Sequence, residues 1–215
     1  MSNWPALSIR GTELTPDETR EHFTTYARRH AATVREYDLR HDPEPNIVTV
    51  TDLGRMILIN ARLTGDDAAT LLELANPPHS DWTRFETGVS ITEPIADPAD
   101  SSAGSLWNAM QHQYTVLDKE GLGHAKITKL LHLKRPALFP IIDSFVRSFY
   151  RDCGITSEWW AHIRADVIAN AAAFGQLRSA AAESGDPAVA HLARLADLRL
   201  HDIAIWSIIE QGKRA

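Results

Sequence analysis

One cysteine, Cys153, is all that the 215-residue sequence contains. A lone thiol cannot close an internal disulfide, and it cannot build a Cys-ligated zinc knuckle or a four-cysteine iron–sulfur cluster within one chain. Long apolar runs are missing too. The longest aliphatic stretch, Met56-Ile57-Leu58-Ile59, falls far short of the roughly 20 residues that a membrane-spanning helix needs. The start, Met1 to Gly11, shows no basic end followed by an apolar block, so a secretory leader is not expected and the expected location is the cytoplasm. The ten histidines form no His-Glu-x-x-His pattern or other close ligand pair, and no Gly-x-Ser-x-Gly elbow or Walker loop occurs. Neither a metal nor another cofactor is therefore expected.

With 44% hydrophobic and 23% charged residues, the chain has ordinary globular composition and enough length for a buried core. Thr15-Pro16-Asp17-Glu18 is a strong helix start, with Thr15 as cap, Pro16 at the first helical position and Glu18 closing a capping box. Phe23, Tyr26, Ala27 and Val34 keep helical spacing, so a helix is expected over 16–36. Asp42-Pro43-Glu44-Pro45 breaks it, and 47–50 reads as a short extended piece. Thr49 or Thr51 then caps a helix marked by Leu53, Met56, Ile57 and Asn60, with Asn60 buried and hydrogen-bonded. A further helix follows Gly65-Asp66. Residues 77–102, rich in Pro, Asp, Ser and Thr, read as a long connector. Helical periodicity returns at Leu106, Met110, Tyr114 and Leu117, then at 124–133, after Asp143-Ser144, and through the alanine-rich tail from Ser157 to the end, interrupted near Ser184-Gly185-Asp186-Pro187. The expected architecture is one all-α domain over 1–215 with two helical lobes, the connector running between them.

The formal charge of −6 argues against a protein that coats nucleic acid everywhere. Its placement is uneven. Between 119 and 151, seven bases (Lys119, Lys126, Lys129, Lys134, Arg135, Arg147, Arg151) face two acids (Glu120, Asp143), a net of +5 that leaves about −11 for the rest. Two readings stand: one basic surface that meets a polyanion, or a solvated helix face.

Within this window lies Glu120-Gly121-Leu122-Gly123-His124-Ala125-Lys126-Ile127-Thr128-Lys129, a helix, a tight Gly-x-Gly turn and a second helix. Such a turn leaves amides exposed at the next helix start, where a phosphate can sit with Lys126 and Lys129 nearby. A plain interhelical turn has the same pattern. The run continues as Lys134-Arg135-Pro136-Ala137-Leu138-Phe139-Pro140-Ile141-Ile142-Asp143-Ser144-Phe145-Val146. Over 119–147 the sequence resembles the helix-hairpin-helix DNA glycosylases of the endonuclease III class. In that family a Gly-hydrophobic-Gly hairpin is followed, after a helix and a proline-containing turn, by an aspartate opening an Asp-Thr/Ser-x-Val/Ile helix. The stretch 37–46 and Asp52-Leu53 are more similar to uncharacterised relatives carrying this hairpin.

The resemblance implies a two-lobed, all-α endonuclease III-like fold, with a hairpin segment at 105–134 and residues 201–206 as the late helix packed beneath it. It implies a catalytic carboxylate at Asp143, cleaving an N-glycosidic bond by stabilising positive charge on the sugar and orienting water. It also implies contact with DNA or a nucleotide-containing ligand through Gly121, Gly123, His124, Lys126 and Lys129. The sequence departs from the pattern where bifunctional members carry a nucleophilic lysine. Ala125 stands there, and Lys126 points about 100° away around the helix, so Schiff-base chemistry is not expected. Ile127 replaces the usual small residue.

Other polar positions stay open. Asp143 also suits an N-cap for the helix that Ser144 begins. Tyr37, Asp38 and Arg40 could line a pocket with Trp107, or they could be a solvated helix end. His124 and His132 flank the basic helix either as phosphate contacts or as plain surface residues. Cys153 lacks a partnered base, so nucleophilic catalysis by it is not expected. Two further functions compete with the glycosylase reading: a non-catalytic nucleic-acid or protein-binding member of the fold, and an enzyme acting on a small nucleoside or other metabolite.

Overall fold

The computed structural model describes residues 3–119, 121–210 and 212; Glu120, counted above among the acids, lies outside them. In chain order the elements are β1 (Leu7–Ile9), β2 (Thr12–Leu14), α1 (Pro16–Arg29), α2 (Ala31–Thr33), α3 (Val50–Ile57), α4 (Gly65–Leu74), α5 (Leu106–Leu117), α6 (His124–Lys134), α7 (Ser144–Asp152), α8 (Trp159–Ala169), α9 (Ala171–Ala182), α10 (Pro187–Ala190) and α11 (Asp197–Glu210). Among the described residues the fold is helical with one two-stranded sheet. No helix among the described residues is long and apolar enough to cross a membrane.

The chain divides into two compact units, residues 1–39 with 144–215, and residues 40–143. The division falls at 39/40 and 143/144. The 77–102 connector lies inside the second unit, not between lobes.

In the first unit, α11 is buried along most of its length, from Leu198 and Leu200 to Ile203, Ala204, Ile205 and Ile208. That is the pattern of a central helix. Two of its buried polar residues, Arg199 and His201, are held by partners. Arg199 donates from Nε to Asp38 at 2.8 Å and from Nη2 to the Tyr26 hydroxyl at 2.8 Å, and it also pairs with Asp202. His201 meets the Tyr150 hydroxyl at 3.2 Å, and Tyr150 donates to Asp166 at 2.6 Å. Arg10 reaches the same Asp166 oxygen at 2.8 Å. Burial pushes the His201 imidazole down to about 4, so it sits in the core uncharged.

Two local differences from the sequence-based expectation occur in this unit. The helix expected over 16–36 ends at Arg29, where the His30 amide caps back onto the Tyr26 carbonyl. The chain then continues through α2 into a π-turn at Val34–Asp38. That wider turn points both Val34 and Tyr37 inward, 0% and 1% exposed, and delivers Asp38 to Arg199. The sheet is also at an unexpected place. Residues 47–50 form no strand, while β1 and β2 pair antiparallel with Leu7 opposite Leu14 and Ile9 opposite Thr12. Arg10 and Gly11, at φ 51° and 81°, supply the two positive-φ residues of a tight hairpin. Asn170 fastens it by bonding both the amide and the carbonyl of Ser8.

The second unit is built around α6, buried from Ile127 to Lys134. Capping boxes start α3 (Thr49 with Asp52) and α4 (Thr64 with Asp67), because a threonine three residues before an aspartate satisfies two orphan amides reciprocally. The connector has little regular structure, yet it is pinned. Trp82 and Phe85 are buried, the Trp82 indole donates to the Ala75 carbonyl at 2.6 Å, and the Ile91 amide donates to the Ala137 carbonyl at 2.9 Å. Asn60 does not lie in a helix interior: it is exposed, beyond α3, with φ 59°.

Candidate functional site

The two-glycine turn joins α5 to α6. Leu117 and Leu122 are buried on either side of it, so the turn's apolar member faces inward while Gly121, Gly123 and His124 stay exposed. Gly121 has φ 93° and Gly123 φ 70° with ψ 148°, a conformation that an L side chain resists. A Cβ on either glycine would meet nothing within 4 Å, so both are glycine for backbone reasons and not for want of room. No side chain caps α6, whose first-turn amides follow Gly123. His124 bonds the Tyr114 hydroxyl, and the two rings stack at 5.6 Å with 15° between planes. Tyr114 is therefore half-buried, and it serves the turn more than a core stripe.

Thr128 connects α6 to the segment that carries Asp143. Its hydroxyl donates to the His124 carbonyl at 2.9 Å and accepts from the Ile142 amide at 3.0 Å. His132, buried and not a surface residue, donates from Nδ1 to the Phe139 carbonyl at 2.8 Å and holds the Pro136 to Pro140 loop. Asp143 thus arrives directly before α7 with 21% of its side chain accessible, and Lys129 Nζ stands 3.9 Å from Oδ2. That distance makes an ion pair without a hydrogen bond. The shorter contact of Lys129 is its donation to the Ile59 carbonyl at 2.7 Å.

Three other bases of the window, Lys126, Lys134 and Arg135, are turned to internal partners and do not add to a basic surface. Lys126 pairs with Asp67 at 2.8 Å, and that hydrogen bond, with those from Thr64, holds the Asp67 carboxyl below the usual range. Lys134, fully buried, is held by Asp42, Asp52 and the carbonyls of Glu44 and Ile47. Arg135 donates to the carbonyls of Phe85, Pro45, Lys134 and Trp82 and to Asn46, and burial lowers its pKa. Lys119, Arg147 and Arg151 are exposed, the first in one unit and the other two in the other.

The expected pocket residues divide likewise. Tyr37 is a core side chain of the first unit, with the Arg199 guanidinium 5.8 Å from its ring, and Asp38 is engaged by Arg199. Arg40, exposed, and Trp107, 9% exposed in α5, belong to the second unit. Open hollows among the described residues include two of note. One of about 560 Å³ lies along α1 beside Trp4, Arg20, Glu21 and Arg28, and another of about 280 Å³ lies beside Arg84, Ile95 and Ser105. Asp143 lines neither of them. Sequence reasoning missed Thr128, Asp67 and the Ile59 carbonyl. Only Asp67 left a local signal, the Thr64-x-x-Asp67 capping box.

A family model matches residues 17–208, which spans both units, the two-glycine turn and Asp143. The chain belongs to a family of unknown function, DUF6308. The DUF6308 match begins after the β1–β2 hairpin, so Arg10 and its bond to Asp166 lie outside the matched span. No curated protein and no solved structure matches the chain.

Proposed function

We propose that this DUF6308 chain hydrolyses an N-glycosidic bond, with Asp143 as the carboxylate beside the anomeric carbon and the Gly121 to His124 turn as the phosphate contact. The observation that carries this reading is the partly accessible Asp143 carboxylate, 3.9 Å from Lys129, on a segment that Thr128 ties to the helix following the two-glycine turn. In the reaction water forms the new bond to C1′, the C1′–N bond breaks, and the base departs with a proton. The carboxylate stabilises the oxocarbenium-like sugar and orients the water. Lys129, fixed by the Ile59 carbonyl, positions the carboxylate. Lys126 is committed to Asp67, so the reading gives phosphate to the amides of the turn and to His124.

A second reading concerns substrate size. Lys126, Lys134 and Arg135 are satisfied within the protein, which takes three of the window's seven bases away from a long polyanion and favours a nucleoside or nucleotide over duplex DNA. One experiment addresses both. The protein is incubated with duplexes carrying uracil, alkylated or oxidised bases, with the matching single strands, and with free nucleosides, and released base is measured by chromatography. Asp143→Asn is the decisive variant because Asn suits a helix start about as well as Asp, so it removes the charge without disfavouring the helix that follows. The expected result is release in at least one arm, reduced about 100-fold or more in Asp143→Asn. Release by neither protein in any arm, or equal release by both, overturns the proposal.

A further inference from the structure

Helix α3 buries two charged residues beside Leu53 and Met56 and leaves an apolar strip outside. Its charged residues Asp52 and Arg55 are 2% and 6% exposed, whereas Val50 is 72% exposed and Ile57 64%. Leu58, which closes the helix, is 42% exposed, and Ile47, three residues before Val50, is 41%. The outward positions are Val50, Thr51, Gly54, Ile57 and Leu58, a strip without a single charge. A solvent-facing helix strip is normally polar. The two buried charges have partners: Lys134 Nζ lies 3.2 Å from Asp52, and Arg55 lies 3.5 Å from it. Val48 and Leu53 are buried as the staple across the cap and Met56 is buried beside them, while Val50, Ile57 and Leu58 are left outside.

We infer that this strip is the contact between two copies of the chain, related by a two-fold axis through Gly54. The spacing is self-complementary. Val50 and Leu58 lie four residues on either side of Gly54, and Thr51 and Ile57 lie three. An antiparallel pairing therefore sets Val50 of one copy against Leu58 of the other and Thr51 against Ile57, the reciprocal pattern that an isologous interface requires. The rows 50-54-58 and 51-54-57 are the ridges that helices interlock. At the crossing point Gly54 has nothing within 4 Å of the place where a Cβ would stand, so two backbones can approach closely there.

Charge permits a second copy here, and the area suits one. The formal charge of −6 sets two copies against each other, and an uncharged strip is a place where they can meet without bringing like charges together. The four exposed aliphatic side chains together offer about two whole side chains of apolar surface, roughly 300 Å² per copy. Homodimer interfaces are about 65% apolar, so the pair would bury on the order of 1,000 Å² in all, the threshold for a specific but weak dimer.

Sedimentation of the full chain from low to high micromolar concentration tests this. The mass is expected to rise from 23.9 kDa towards twice that value. Ile57→Glu and Val50→Glu should each raise the dimer dissociation constant about 100-fold or more, with an unchanged melting transition in dilute solution. In a Cys153→Ser background, Gly54→Cys should cross-link copies under mild oxidation, a readout independent of the charge variants. A monomer at every concentration, a dimer that persists in Ile57→Glu, or no cross-link through Gly54→Cys overturns the inference.

Discussion

Lys134→Met tests the account of the basic window most directly. The ammonium is wholly buried and has four acceptors: Asp42 at 2.5 Å, the Ile47 carbonyl at 2.7 Å, the Glu44 carbonyl at 2.9 Å and Asp52 at 3.2 Å. Removing one partner of a buried ion pair commonly costs about 3–5 kcal/mol, because the remaining charge is stranded. Here the lower end applies, for two reasons. Asp52 keeps its bonds from the Thr49 amide and hydroxyl, and Asp42, 18% exposed, can recover some water. The expected loss is about 3 kcal/mol, equivalent to roughly 6–12 °C in melting temperature for a chain of this size. Urea unfolding followed by circular dichroism measures it. Asp42→Asn in the wild-type and Lys134→Met backgrounds completes a cycle in which a coupling of about 1 kcal/mol or more is expected. A loss under about 1 kcal/mol, or additive behaviour, would refute the structural role. In the same variant the salt dependence of any oligonucleotide binding should be unchanged, whereas a phosphate-contacting lysine would reduce the slope by about one.

Two further outcomes follow from groups already described. Burial holds His201 near 4, below its unfolded value near 6.5. The unfolded chain therefore takes up this proton first as pH falls, and stability that is fully present above about 6.5 drains away down to about 4, by about 3 kcal/mol in total. Denaturant melts across that range should show the decline in wild type and a flatter profile in His201→Asn; identical profiles would contradict the buried neutral imidazole. Gly123→Ala places a side chain at φ 70°, ψ 148° with open space around it. The cost should be purely conformational, about 1–3 kcal/mol, while Gly175→Ala, in the interior of α9 and equally open, should stabilise by about 0.5–1 kcal/mol. Equal effects at the two sites, measured by urea unfolding, would remove the special backbone of the turn.

What the sequence determined unaided is what a few neighbouring residues decide. Thr15 with Glu18 and Thr49 with Asp52 are reciprocal bonds three residues apart, so helix starts were readable from residue identity alone. The glycines at 121 and 123 announced their turn, and the unbroken Leu106 to Leu117 periodicity announced α5. Three-residue strands such as β1 and β2 are too short to alternate visibly, and the π-turn at Val34–Asp38 shows itself only through which side chains end up inside.

Only tertiary structure decided which charges face water. Lysine is an apolar stem with a polar tip, so its spacing on a helix is equally consistent with a basic ridge or a buried anchor. The partners that settle the matter for Lys126, Lys129, Lys134 and Arg135 are 59, 70, 92 and 50 residues away. The same long-range pairing buries Asp52 of α3 against Lys134, while Ile57, which marks the helix in the sequence, lies in solvent. Local bonds are written in adjacent letters; the sign and direction of a surface emerge only when distant acceptors have been folded against their donors.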